Sequence, residues 1–180
     1  SYGMLGYALL TSATFGDALR LALRYPALLG TLFELSLEDD GERIWFSAGD
    51  YRENPALEMF NVELCLASLK LICDDLLGHP LRLLGARFEH DAPDYHARYA
   101  ESFACPLQFG ATANAFAFDK TWLAQPLPLA DAVTHQAMAE RCRKQNTEFT
   151  GRQAWLGRIR QLLAGQLSSA PGLDGLAEQM

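Results

Sequence analysis

Two imidazoles and two carboxylates crowd into the segment His90, Asp91, Asp94 and His96, residue types that hold zinc or move protons. Their spacing matches no recurrent metal site and straddles the end of a strand-like run and the start of a helix-like one. Acidic charge favourable to a helix N-terminus is the simpler account of Asp91 or Asp94. Glu58 and Glu63 form a second pair, suited to acid–base work but more simply explained as complementing the dipole of the long helix near whose start they lie. Arg87 stands beside Phe88 in a strand-like run, and a half-buried guanidinium there needs an anion. Glu34, Glu89 or the carboxylate of a ligand would serve. Trp45 and Trp122 offer stacking surfaces for a ligand, or packing in a core or interface. No nucleophile elbow, phosphate-binding loop, dinucleotide fingerprint or H-E-x-x-H is present. Cys65, Cys73, Cys105 and Cys142 form no C-x-x-C pair and sit inside apolar or helical patterns. They read as buried free thiols, suited to a reducing cytoplasm. No catalytic set, metal or cofactor is expected.

The elements that must position these residues follow from the hydrophobic pattern. Thr14 and Asp17 resemble a capping box, after which Phe15, Leu19 and Ala22 recur at helical spacing, with Gly30 as a stop. Phe33, Leu35 and Leu37, then Ile44 and Phe46, alternate with polar residues on either side of Asp39–Glu42, which predicts a β-hairpin. Asn54 and Pro55 open a long helix that ends near Gly78. It is apolar on most of its circumference, as a central helix would be. Residues 82–89 read as a strand with Leu84, Ala86 and Phe88 on one face. Pro93 opens a helix carrying Tyr95, Tyr99 and Phe103. Residues 107–109 and 115–118 are short strands around a Gly110–Asn114 turn. From Asp131 the pattern is helical: one helix over roughly 131–146, a second from Thr150, a break at 168–172 and a third from Leu173. The mixed order predicts an α+β fold, an antiparallel sheet packed with helices and followed by a C-terminal helical linker or dimerisation segment.

Composition narrows the function classes. With 49% hydrophobic and 21% charged residues, 180 residues suit one domain with a short appendage. The longest apolar runs are too short and too interrupted to cross a bilayer, and no charged-then-apolar leader opens these residues. The net charge is -7. Residues 1–130 hold 9 Lys and Arg against 17 Asp and Glu, whereas residues 131–164 hold 6 against 3. A body so acidic is a poor partner for phosphate.

Three blocks, in order, resemble the effector-binding domain of one branch of AraC-type transcription regulators. They are Gly3-x-x-Gly6-Tyr7-Ala8-Leu9 with Thr14–Leu19 and Tyr25; Phe88-x-His90-x-x-Pro93; and Phe103-x-Cys105-Pro106-Leu107-x-Phe109-Gly110 with Asn114-x-Phe116-x-Phe118, Leu123 and Pro126–Pro128. The resemblance spans about residues 2–130, and the third block is its most specific part. Residues 152–164 look like the leading helix of the family's DNA-binding domain, and Pro171–Ala177 like the start of its first helix-turn-helix unit. The resemblance implies domains at 1–130 (effector binding), 131–150 (helical linker and dimerisation) and 151–180 (the start of a DNA-binding domain without its recognition helices), with further residues ahead of the position of Ser1. It implies a non-enzymatic switch: a small effector, a homodimer, and DNA contacted through a C-terminal part beyond these residues, in a bacterial cytoplasm.

The expected effector site is a mostly apolar pocket between the sheet and the helix of residues 55–78. Arg87, His90, Tyr95 and Trp45 are its candidate contacts, and Arg87 would suit an amphiphilic effector with a carboxylate. Val133, Ala137, Met138 and Cys142 are the candidate dimer contacts, unless that helix packs back on the body. A small-molecule enzyme built on His90–His96 and a purely structural dimerisation module are the alternatives. A ligand-sized cavity and its lining discriminate among the three.

Overall fold

A computed structural model describes the backbone of residues 3–168 and the side chains of residues 3–151. Gly3–Leu10 form helix α1, which periodicity did not announce because apolar residues lie on all its sides. The Thr14 hydroxyl oxygen accepts from the Asp17 N–H at 3.2 Å and its hydrogen goes to the Asp17 carboxylate at 2.7 Å. That capping box starts α2 (Phe15–Arg24), whose buried face is the expected one, Phe15, Leu19 and Ala22. The Gly16 backbone lies so close to Leu123 that an added Cβ would sit 2.8 Å from its carbonyl oxygen. Pro26 opens the short α3 (Pro26–Leu29), and Gly30, at φ 68°, ends it.

The hairpin forms as its alternation requires: β1 (Glu34–Asp39) pairs antiparallel with β2 (Arg43–Gly49). Its turn is held by Asp40, whose carboxylate accepts from the Arg43 N–H at 2.8 Å, and by Gly41 at φ 101°. Asn54 caps a 3-10 turn (Pro55–Leu57) that leads into α4 (Glu58–Leu77), closed by Gly78 at φ 75°. Helix α4 is not central. Val62, Leu66, Leu69, Cys73, Leu76 and Leu77 face the core, while Leu57, Phe60, Leu64 and Leu71 are exposed.

Strand β3 (Leu83–Arg87) carries an irregularity between Leu83 and Gly85. The bulge rotates the strand, so Leu83 is buried and Leu84 exposed, the reverse of strict alternation. Pro93 is followed by a 3-10 turn (His96–Arg98) and the short α5 (Tyr99–Phe103) in place of one longer helix. Strands β4 (Leu107–Gln108) and β5 (Ala115–Asp119) flank the expected turn but do not pair with each other. The sheet order is β1-β2-β5-β3-β4; three pairings are antiparallel and β3–β4 is parallel. The fold is α+β, as the pattern of elements implied.

One core lies between the inner sheet face, with Ile44, Phe46, Phe116 and Phe118, and the apolar faces of α1, α2 and α4. Phe15 meets Phe118 edge-on at 5.7 Å. Helix α6 (Ala132–Ser168) is continuous, without the expected break before Thr150. The Thr150 hydroxyl donates to the Asn146 carbonyl at 2.8 Å, and no proline or glycine interrupts the preceding turns, so helix propagation overrides the new start expected at Thr150. Residues 1–142 and 143–180 form separate compact units. The expected break at 168–172 and the helix from Leu173 fall largely or wholly outside the described residues. Among the described residues no helix is long and apolar enough to cross a membrane.

Candidate functional site

The lead into β1 and the adjoining flank of α4 enclose an apolar hollow of about 280 Å³. Phe33, Leu35, Leu64, Cys65, Leu69 and Ile72 form its walls, with Thr31, Asn61 and Ser68 as its polar groups. Leu29 and Ile72 also line a second hollow of about 230 Å³, which runs between α1, α3 and α4 past Leu5, Leu9 and Leu28. The two hollows adjoin at Leu29 and Ile72 as a mostly apolar trough beside α4, with Asp75 lining the second. Thr31 organises its mouth: its hydroxyl oxygen accepts from the Phe33 N–H at 3.1 Å and lies 3.8 Å from the Cys65 sulfur. Burial pushes the Cys65 thiol above its ordinary value, which keeps it protonated and unreactive.

None of the four candidate contacts lines the trough, and the strand period explains two of them. Ala86 and Phe88 of the β3 segment point inward, so Arg87 points outward; Ile44 and Phe46 of β2 do the same to Trp45. On the outer face the two meet. The Arg87 guanidinium lies over the Trp45 ring at 4.2 Å, and Arg43 approaches it at 5.5 Å. The indole N–H donates to Asp40 at 3.1 Å. Arg87 reaches Glu38 at 3.9 Å, neither Glu34 nor Glu89, and its Nε is buried without a partner.

His90 and Tyr95 belong to a third place, organised by Glu63. The Glu63 Oε1 accepts from the Tyr95 hydroxyl at 2.8 Å and from the Tyr99 hydroxyl as well. His90 Nε2 lies 3.5 Å from the Tyr99 oxygen, and its Nδ1 faces the Asp91 carbonyl at 2.9 Å. A cleft of about 250 Å³ opens beside Glu63, Tyr95 and Arg98. His90 and His96 flank the Phe109 ring at 5.8 and 6.3 Å instead of converging with Asp91 and Asp94. Among the described residues no three His, Cys, Asp or Glu side chains gather as metal ligands. Sequence reasoning paired Glu63 with Glu58, for acid–base work or the helix dipole; its bond to tyrosines 32 and 36 residues away carries no local signal.

This arrangement has a pH consequence. Burial, and then the hydrogen bond to Glu63, push the Tyr99 phenol well above its ordinary range. The bond to Glu63 raises Tyr95 as well. A raised acid keeps its proton in the folded state after the unfolded chain has lost it. The stabilisation is therefore full below pH about 10 and declines as pH rises beyond that. In an alkaline titration followed by tyrosinate absorbance, Tyr99 should ionise only with unfolding. Glu63→Gln, which removes the charge, should bring that ionisation toward the ordinary phenol range. An unchanged curve in the variant rules out the Glu63 bond as the cause.

On α6, Val133 and Ala137 are exposed, whereas Met138 packs against the core and Cys142 is fully buried in it. Cys142 is thus inaccessible to a second copy. The helix packs its Met138–Cys142 side onto the body because a three- to four-residue spacing puts those side chains on one face.

Comparison with known proteins is consistent across sequence and fold. The family model for the N-terminal arabinose-binding domain of AraC transcription regulators matches residues 1–127. The ornithine utilization regulator of Pseudomonas aeruginosa is 30% identical over 180 residues, all of this chain and 53% of that protein. The crystal structure of the transcriptional regulator CdpR from Pseudomonas aeruginosa aligns with a TM-score of 0.66 at 22% identity, over 99% of this chain and 58% of that one. At that identity the likeness is one of fold. The chain spans little more than half the length of these relatives.

Proposed function

Because this chain belongs to the AraC family of transcription regulators, through their N-terminal arabinose-binding domain, we propose that it senses a small effector in the apolar trough beside α4 and passes that signal to a DNA-binding half. The observation that carries the reading is the trough itself, two hollows of about 280 and 230 Å³ sharing Leu29 and Ile72. Together they approach the size of small-molecule sites, which are mostly apolar with a few placed polar groups. With Arg87 on the opposite sheet face, the polar groups of the trough are Thr31, Asn61 and Ser68 in the first hollow and the Asp75 carboxylate in the second. They suit an apolar body with a polar head that is not anionic, and a carboxylate gains no anchor there.

The same reading has a non-enzymatic switch working as a homodimer, with Val133 and Ala137 as the face of α6 open to a second copy. Residues 1–130 bind effector, 131–150 link and dimerise, and 151–180 begin the DNA-binding half. A reducing cytoplasm suits its free thiols. One relative is named for ornithine utilization, so ornithine joins the compounds to be screened.

Thermal unfolding of this chain with octanol, octanoate and ornithine tests the site. An apolar-bodied ligand at about 100 times its dissociation constant should stabilise the fold by roughly 2.7 kcal/mol. Octanol and octanoate should act alike, since no guanidinium reads the carboxylate. Ser68→Phe, an exposed position, should fill the mouth and abolish the gain while moving ligand-free stability by no more than about 0.5 kcal/mol. If Ser68→Phe leaves the response to the apolar-bodied ligand intact, the effector does not sit in the trough.

A further inference from the structure

The outer face of the sheet, opposite the trough, carries its own cleft of about 300 Å³ at the open end of the β1–β2 hairpin. Alternation along β1 sends Glu34, Ser36 and Glu38 to this face, and Ser47 of β2 sits level with Ser36. Asp50 after β2 and Glu89 after β3 complete the wall. Four carboxylates therefore ring one cleft. Two guanidiniums and an amide answer them: Arg52 bonds Asp50, Arg87 reaches Glu38 at 3.9 Å, and the Asn114 side-chain amide donates to Glu89 at 2.5 Å. Two negative charges remain in excess.

Ser47 is the independent sign of a ligand. It is only 8% exposed and lines the cleft, yet its hydroxyl has no hydrogen-bond partner. Buried hydroxyls are nearly always paired, because desolvation is otherwise uncompensated. Ser47 and Arg87 flank Ala115 in the ladder, so the unpartnered Arg87 Nε lies on the same face two strands away.

We propose that this cleft binds a small organic cation, an alkyl diamine in type, with its ammonium groups shared among Glu34, Glu38 and Glu89 and accepted by the Ser47 hydroxyl. A metal ion does not fit as well. No three carboxylate, imidazole or thiol groups among the described residues converge on one point. The carboxylates surround a volume instead, which suits a ligand whose positive groups are spaced along a short chain. Ammonium donors also match the acceptors on offer: carboxylate oxygens, and a hydroxyl with free lone pairs.

Isothermal titration of the 180-residue chain with 1,4-diaminobutane tests the site, beside succinate and calcium chloride. The diamine should bind saturably and succinate should not. Glu34→Gln with Glu89→Gln should weaken the diamine at least tenfold. Ser47→Ala should weaken it severalfold while ligand-free stability holds or rises, because an unpaired buried hydroxyl is removed. Ser68→Phe in the trough should leave diamine binding unchanged, which separates this site from the effector reading above. The proposal is overturned if the diamine gives no saturable heat, if calcium binds and the diamine does not, or if Ser47→Ala lowers ligand-free stability and leaves diamine affinity alone.

Discussion

Phe88→Ala is expected to lower the unfolding free energy by about 3–5 kcal/mol, the range for deleting a buried aromatic ring. Phe88 is fully buried and its ring is the hub of an aromatic cluster. It meets Tyr99 at 4.9 Å and Phe103 at 5.5 Å edge-on, and stacks with Phe109 at 5.5 Å. The ring bridges β3 to α5 and to the segment after β4. Backbone bonds from Phe88 to Gln108 and from Ala111 to Phe88 hold the neighbouring strands rigidly, so collapse cannot fill the space. Those two facts put the loss toward the upper end. At roughly 2–4 °C per kcal/mol for a domain of this size, the unfolding midpoint should fall by on the order of 10 °C. Chemical and thermal denaturation of the variant measure it. A loss below about 1 kcal/mol would mean that the cluster is loosely packed and that the Glu63–Tyr99 bond positions α5 by itself.

Joining the proposed DNA-binding half is expected to raise affinity for a target promoter at least a thousandfold over random DNA, the lower bound for specific readers. The 180-residue chain alone should show no such preference. Residues 1–130 carry 9 cationic against 17 anionic side chains, so contact with phosphate is repelled over most of the surface. The cationic excess of residues 131–164, 6 against 3, lies mostly on one long helix. With the recognition helices in the DNA-binding half beyond these residues, as proposed, that excess should give only weak, salt-sensitive, sequence-blind attraction. Fluorescence anisotropy with a promoter fragment and a shuffled control, at physiological and raised salt, separates the cases. Salt-resistant, sequence-selective binding by this chain alone would overthrow the division of labour proposed for it.

The local sequence was sufficient wherever short-range chemistry decides. Thr14 and Asp17 start α2, Asp40 and Gly41 turn the hairpin, and Asn54, Pro55 and Gly78 bound α4, because each works through bonds to backbone groups a few residues away. The α+β class and the ordered Phe, Gly and Pro blocks of the family were equally legible. Partners distant in sequence were not. The bulge that inverts Leu83 and Leu84 depends on pairing with β5. The place of Arg87 on Trp45, away from α4, depends on which sheet face the helices cover. Glu63 reads as an ordinary carboxylate near the start of the long helix until Tyr95 and Tyr99 arrive from α5 and its approach. The unpaired Ser47 hydroxyl, too, appears only when β2 and β5 lie side by side. A strand's alternation says that its side chains divide between two faces; only packing decides which face meets the helices and which is left to bind something else.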